Sequence, residues 1–223
     1  MNYKQHFEQS CALRDSYWSS IGKLRTDVLT SLINPALQGG PAWPSLRQAF
    51  AVIDTPQGTI LASEGLSDPY SDFDTDPESQ AYNGVGLELY IESVEKFETL
   101  EKIHQSWEFS LLYQAAQLAA SNSKLVNLLA QHTYLSTELY DCAVPPAFIN
   151  EEGRTGVLLG LPSGTVVNTL ALSIEPIRLV NVTLLTLDEV RYIAAHGAQG
   201  RNAVAERLKK YQGKSLLSRE SVT

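Results

Sequence analysis

The chain has 223 residues, 43% of them hydrophobic, and a formal net charge of -8. With a mean hydropathy of -0.13, that is the balance of a globular protein with one sizeable core. No apolar run approaches the roughly 20 residues that cross a bilayer, and Met1-Asn2-Tyr3-Lys4-Gln5-His6 lacks the apolar heart of a secretory signal. Cys11 and Cys142 stand alone and far apart, so neither a disulfide framework nor a zinc knuckle is expected, and a reducing cytoplasmic setting is.

In chain order, Tyr17, Ile21, Leu24, Val28 and Leu32, widened by Trp18 and Leu29, repeat at helical spacing from Asp15. They predict a helix that stops before Asn34-Pro35. A shorter, weakly packed helix is expected ahead of it, around Phe7 and Cys11, and residues 1–45 read as an N-terminal helical segment lying on the main domain. Ala49 to Ile53 and Thr59 to Ala62, joined by Thr55-Pro56-Gln57-Gly58, predict an antiparallel hairpin. The alternation at Val85, Leu87, Leu89 and Ile91 predicts a half-buried strand beside it. Ile103, Trp107, Leu111, Ala115 and Leu118 predict one long helix ending near Ser121, with Ser123 capping a shorter one.

From His132 to Gly153 an irregular or edge-strand region is expected. Strands follow at Gly156 to Leu161, Thr169 to Ile174 and Ile177 to Leu185. Thr186-Leu187-Asp188-Glu189 is a capping box for a helix that should end at His196-Gly197. A last helix runs from Ala203 to Tyr211, and residues 213–223 read as a frayed tail. The sum is a single α+β domain over residues 46–212, a mixed, mainly antiparallel sheet flanked by helices.

Charge is concentrated. Between Glu64 and Glu101 eleven carboxylates face the single base Lys96, which disfavours nucleic-acid binding and favours either a basic partner or a solvated acidic surface that serves solubility alone. Asp72-Phe73-Asp74-Thr75-Asp76 opens like a calcium loop. Pro77 then takes the glycine position and Asn83 the final glutamate position, so that type of site is not expected; a divalent cation held in some other way remains an open alternative. None of His6, His104, His132 and His196 has a Glu or Cys at zinc spacing, and no metal or cofactor is expected. The stretch Gly160-Leu161-Pro162-Ser163-Gly164 has its serine misplaced for a nucleophile elbow and lacks a phosphate-loop lysine. No catalytic set emerges. His132 is kept as a secondary candidate, and a small-molecule-binding or hydrolytic domain using His132, Tyr140, Asp141 and Cys142 is the alternative reading. Asp68, Tyr70, Asp72, Phe73, Asp74 and Asp76, with Tyr82 nearby, combine rings with carboxylates and form the expected partner-binding surface.

Gly65-Leu66-Ser67-Asp68 after the hairpin, followed by the strand Gly86-Leu87-Glu88-Leu89-Tyr90, resembles the Suppressor of fused family. The similarity continues through Trp107 to Ala119 and Pro176-Ile177 to His196-Gly197, spanning Ala49 to Leu208 in order. The resemblance implies an α+β protein-binding module without a catalytic centre. Animal members sequester a transcription factor, and stand-alone bacterial relatives look like immunity proteins that neutralise toxins. This chain holds one domain rather than the animal pair, so the resemblance does not extend to transcription-factor binding. An acidic immunity protein against a basic toxin is the expectation.

Overall fold

Nine strands of one mixed sheet organise the chain among the residues that the structure, a computed structural model, describes: 1–30, 35–45, 47–70, 82–122 and 124–223. The spatial order is β1 (Lys23–Leu24), β3 (Ala49–Thr55), β4 (Gly58–Glu64), β5 (Leu87–Ser93), β9 (Pro176–Leu184), β7 (Arg154–Leu159), β6 (Leu135–Tyr140). β2 (Leu29–Thr30) also pairs with β3, and β8 (Thr169–Ala171) with β9. β5 and β9 run parallel and the other pairs antiparallel, giving the expected mixed α+β domain. The hairpin closes in register from Ala49 opposite Glu64 to Thr55 opposite Gly58. β6 is the edge strand anticipated after His132.

Alternation along the strands sends two sets of side chains to opposite faces. On one face Phe50, Val52, Leu61, Leu89, Ile91 and Val182 pack with Leu111, Leu112 and Ala115 of α3 (Trp107–Ser121). On the other, Ile53, Ile60, Tyr90 and Leu179 meet Trp18 of α1 (Tyr3–Ile21). Farther along this second face, Leu158 packs with Ile193, Val204 and Leu208 of α5 (Leu187–Leu208). β5 is therefore covered on both faces and buried throughout, rather than half-buried as its alternation suggests. Its polar positions, Glu88 and Glu92, are inside.

Residues 1–30 depart most from expectation. The helix starts at Tyr3, where Asn2 and Gln5 form a capping box, and it ends at Ile21. Gly22 lies so close to β3 that a Cβ there would meet the Asp54 carbonyl at 2.6 Å. The chain then turns into β1 and β2 instead of continuing as helix. The apolar spacing from Tyr17 to Leu29 thus runs across one helix end and two short strands, while Leu32 lies outside the described residues.

The long helix expected after β5 divides into α2 (Leu100–His104) and α3, because the Ser106 side chain accepts from the Phe109 amide and starts a new N-terminus. α4 (Leu125–His132) follows; the expected cap Ser123 lies outside the described residues. The capping box at Thr186 and Glu189 forms as expected. Gly197 takes φ 57°, but as a kink, and the helix continues to Leu208.

The C-terminal segment is docked rather than frayed. Asn181 Nδ2 donates to the Gly213 carbonyl at 3.0 Å, Ser215 N to the Glu92 carbonyl at 3.1 Å, and Leu184 N to Ser215 Oγ at 3.2 Å. Arg219 forms a buried ion pair with Glu189 and donates to the Leu184 carbonyl at 2.8 Å. Among the described residues no helix is long and apolar enough to cross a membrane.

Candidate functional site

The motif Gly65-Leu66-Ser67-Asp68 leaves the end of β4 and is held from below by a side chain of the neighbouring strand. Glu88 of β5 accepts the Gly65 amide at 3.0 Å, the Ser67 amide at 2.9 Å, the Ser67 hydroxyl at 2.7 Å and the Ser63 hydroxyl at 2.5 Å. One carboxylate thereby satisfies the backbone of a turn that would otherwise bury unpaired N–H groups. Gly65 sits at φ 135°, and a Cβ there would fall 2.1 Å from the Arg47 carbonyl, so the close approach of these two chain segments requires glycine.

Asp68 receives two guanidinium groups. Arg14, from the middle of α1, donates Nη2 to Asp68 Oδ1 at 2.5 Å and Nη1 to Ser67 Oγ at 2.9 Å, with Nη1 3.9 Å from Glu88. Arg47 donates Nε to Asp68 Oδ2 at 3.0 Å and Nη2 to Oδ1 at 3.2 Å, and Ser45 adds its hydroxyl at 2.8 Å. Arg14 and Asp68 have side chains only 1% and 0% exposed. Burial pushes the Asp68 pKa up, but Arg14 and Arg47 outweigh it and hold the carboxyl below its ordinary value. The Cys11 sulfur lies 3.4 Å from Arg14 Nη2, yet burial raises its pKa.

Two residues past Asp68 the chain reaches the surface. Tyr70 and Tyr82, 37% and 49% exposed, meet edge to face with ring centroids 5.3 Å apart. They flank residues 71–81, so Asp72, Phe73, Asp74 and Asp76 lie outside the described residues. The returning end is anchored: Asn83 N donates to Glu175 Oε1 at 3.1 Å, Asn83 Nδ2 to the Glu175 carbonyl at 2.6 Å, and Val85 N to the Leu66 carbonyl at 2.7 Å.

Of the residues anticipated for a partner surface, the structure thus separates Asp68 from Tyr70. The Asp68 carboxylate lies inside, enclosed by Ser45, Arg14 and Arg47, and braces the segment whose rings are exposed. Arg14, Arg47 and Glu88 are missing from the sequence-derived set. Glu88 carried a signal, an acid on a strand with core on both sides; the arginines meet the motif only through the fold.

The alternative region does not assemble. His132 is exposed at the end of α4 and Tyr140 is exposed at the far end of β6, a strand whose length alone is about 17 Å. Cys142 is buried, which pushes its thiol up to about 11, the opposite of an activated nucleophile. The nearby groove of about 230 Å³, walled by Ser136, Glu138, Val190 and Ile193, includes none of His132, Tyr140, Asp141 and Cys142. Among the described residues no group of three or more His, Cys, Asp or Glu could hold a metal ion.

Fold and site together define an α+β module in which a buried ionic cluster braces an exposed aromatic pair. The chain belongs to the Suppressor of fused protein family, whose model matches residues 49–219. That family is one of protein-interaction modules with a regulatory role. Among the solved structures similar to this chain are two at 12% identity, each over 97% of this chain. One is the Sufu–Fu complex, with a TM-score of 0.58 and 92% of that chain covered. The other is Drosophila Suppressor of Fused, with a TM-score of 0.54; this chain spans 51% of its length. A search of curated proteins gives no match.

Proposed function

We propose that this protein is a non-enzymatic binding module that engages a basic protein partner through Tyr70, Tyr82 and the acidic segment between them, including Asp72, Phe73, Asp74 and Asp76. The carrying observation is the exposed tyrosine pair, in edge-to-face contact at the two ends of that segment. Aromatic rings supply contact area at low entropic cost, and carboxylates steer a cationic surface toward them. The buried Arg14–Asp68–Arg47 cluster fixes where the pair emerges, so that little ordering of Tyr70 is left to binding. That a similar fold was solved as the Sufu–Fu complex supports a protein as the kind of partner. Within this reading the finer assignment is an immunity protein that occludes a basic toxin in a reducing cytoplasm, in keeping with the net charge of -8 and the free thiols of Cys11 and Cys142.

The test is capture from the native host's lysate on immobilised protein, with bound proteins identified by mass spectrometry. A basic protein should be retained by the wild type, lost from a Tyr70→Ala/Tyr82→Ala variant, and released as salt shortens the Debye length from about 8 Å toward about 3 Å. Equal retention by the variant would remove this surface from the reading.

A further inference from the structure

β5 and β9 pair in parallel only from Leu87 to Tyr90 and from Arg178 to Asn181. Past that point β5 stays with β4 and β9 turns to β7, and the sheet splits. Ser215 fills the split. It donates its amide to the Glu92 carbonyl at 3.1 Å and accepts the Leu184 amide on its hydroxyl at 3.2 Å. Asn181 Nδ2 holds the Gly213 carbonyl at 3.0 Å. Residues 213–218 thus form a strap over the ends of two parallel strands.

The strap encloses two carboxylates. Glu92 is 4% exposed, and its Oε1 has no hydrogen-bond donor among the described residues. Gly213 lies against it, so close that a Cβ there would stand 3.2 Å from that oxygen. Ser93, the next residue of β5, points to the opposite face, where its hydroxyl donates to Glu108 Oε1 at 2.6 Å. Glu108 is 2% exposed and lines a groove of about 180 Å³ whose walls include Ser215, Leu216, Leu217 and Ser218.

The groups that face Glu92 are Lys214 on the strap, Ser163 and Thr165 on the loop after β7, and Tyr90 and Tyr17. Those that face Glu108 are Ser93, Ser106 and another acid, Glu95. Burial raises the pKa of both carboxyls, outweighing Ser163, Lys214 and Thr165 at Glu92, and Ser93 and Ser106 at Glu108. Beyond the strap Arg219 pairs with Glu189, an anchor that needs its acid ionised and so opposes release at high pH.

We propose that the strap is a proton-operated latch, closed over Glu92 and Glu108 when they are protonated and loosened between Gly213 and Ser218 when they ionise, with Arg219 as the tether. A carboxylate that ionises beneath a closed strap gives up water without a paired cation in return, and opening restores its hydration. The sign follows from linkage. An acid whose folded value is raised holds its proton more tightly with the strap closed, so closure is fullest below the ordinary glutamate value of about 4.3 and weakens as pH rises through the raised one. The open strap uncovers one acceptor and one donor, the Glu92 carbonyl and the Leu184 amide, where β5 and β9 part. The latch does not involve Tyr70 or Tyr82 and stands whether or not that surface binds.

The experiment is amide hydrogen exchange of the full chain, read by two-dimensional NMR as protection factors between pH 4.5 and pH 8, with the amides of β4 reporting global opening. The Ser215 amide should lose about tenfold or more of its protection across that range while β4 keeps its own. Glu92→Gln and Glu108→Gln should each flatten part of the profile and raise protection at pH 8, and the double variant should show no pH dependence. Arg219→Ala should lower protection at every pH and keep the slope. The wild-type profile is decisive even if a variant does not fold. The latch is overturned if Ser215 protection in the wild type is constant or rises with pH, if the double variant keeps the wild-type slope, or if Arg219→Ala abolishes it.

Discussion

Replacing Arg14 with methionine removes a buried cation while keeping most of the side chain's length, so the experiment isolates charge and hydrogen bonding from cavity formation. Arg14 donates to Ser67 and Asp68 and lies 3.9 Å from Glu88. Without it two buried carboxylates lose a counter-charge, although Asp68 keeps Arg47 and Ser45. Removing one partner of a buried pair costs about 3–5 kcal/mol, and the surviving partners place the expected loss near the lower end, about 3 kcal/mol. In urea that is a midpoint shift of about 1 M for a chain of this size.

The pH dependence is more specific. The folded-state pKa of Asp68 lies below its ordinary value. Its ionised form therefore contributes stability that is present above the unfolded pKa of about 3.9 and is lost as pH falls through the folded value. Arg14→Met raises the folded value, so the gap between variant and wild type should be full at neutral pH and should narrow below about pH 4. Arg14→Lys should fall between the two, since it keeps the charge without the planar fork. A midpoint shift below about 0.3 M, or an equal loss at neutral and acid pH, would refute the assignment of Arg14 as counter-charge to the motif.

Arg219→Ala leaves Glu189 buried beside a vacated site, and a loss of about 3 kcal/mol is expected; limited proteolysis should then cut first after Lys214. Gly65→Ala places a methyl against the Arg47 carbonyl at a positive φ. It should cost more than about 2 kcal/mol, read by thermal unfolding, because neither segment has room to yield. The Cys142 thiol, pushed up to about 11 by burial, should react with iodoacetamide at pH 8 about a hundredfold more slowly than an unperturbed cysteine, followed by peptide mass spectrometry.

The hairpin, the late strands and the Thr186 capping box were legible because each is written locally, in alternation, turn residues and cap spacing. The first helix was not. Its inward residues at four-residue spacing are Ser10, Arg14 and Trp18, and two of these are polar, so a reading by hydrophobic period passes over the packed face. The apparent apolar stripe that replaced it crosses Gly22, where proximity to β3 rather than local preference breaks the pattern. The site divides in the same way. The motif was visible as a string of residues, and the exposed tyrosines were marked by composition. The inward turn of Asp68 depends on Arg14 and Arg47, neither of which its local sequence discloses. The docked tail likewise reflects long-range pairings, Arg219 with Glu189 and Ser215 with Glu92 and Leu184 among them, that no local propensity encodes.

The stretch that matches the family begins at residue 49, yet the guanidinium of Arg14 comes from before it. Cutting the chain at that boundary would preserve the recognisable motif and leave its acids bare, so the opening helix is part of the folding unit by virtue of its charge. Shortened versions meant to keep binding should therefore begin no later than Asn2, whose cap holds the first turn in place.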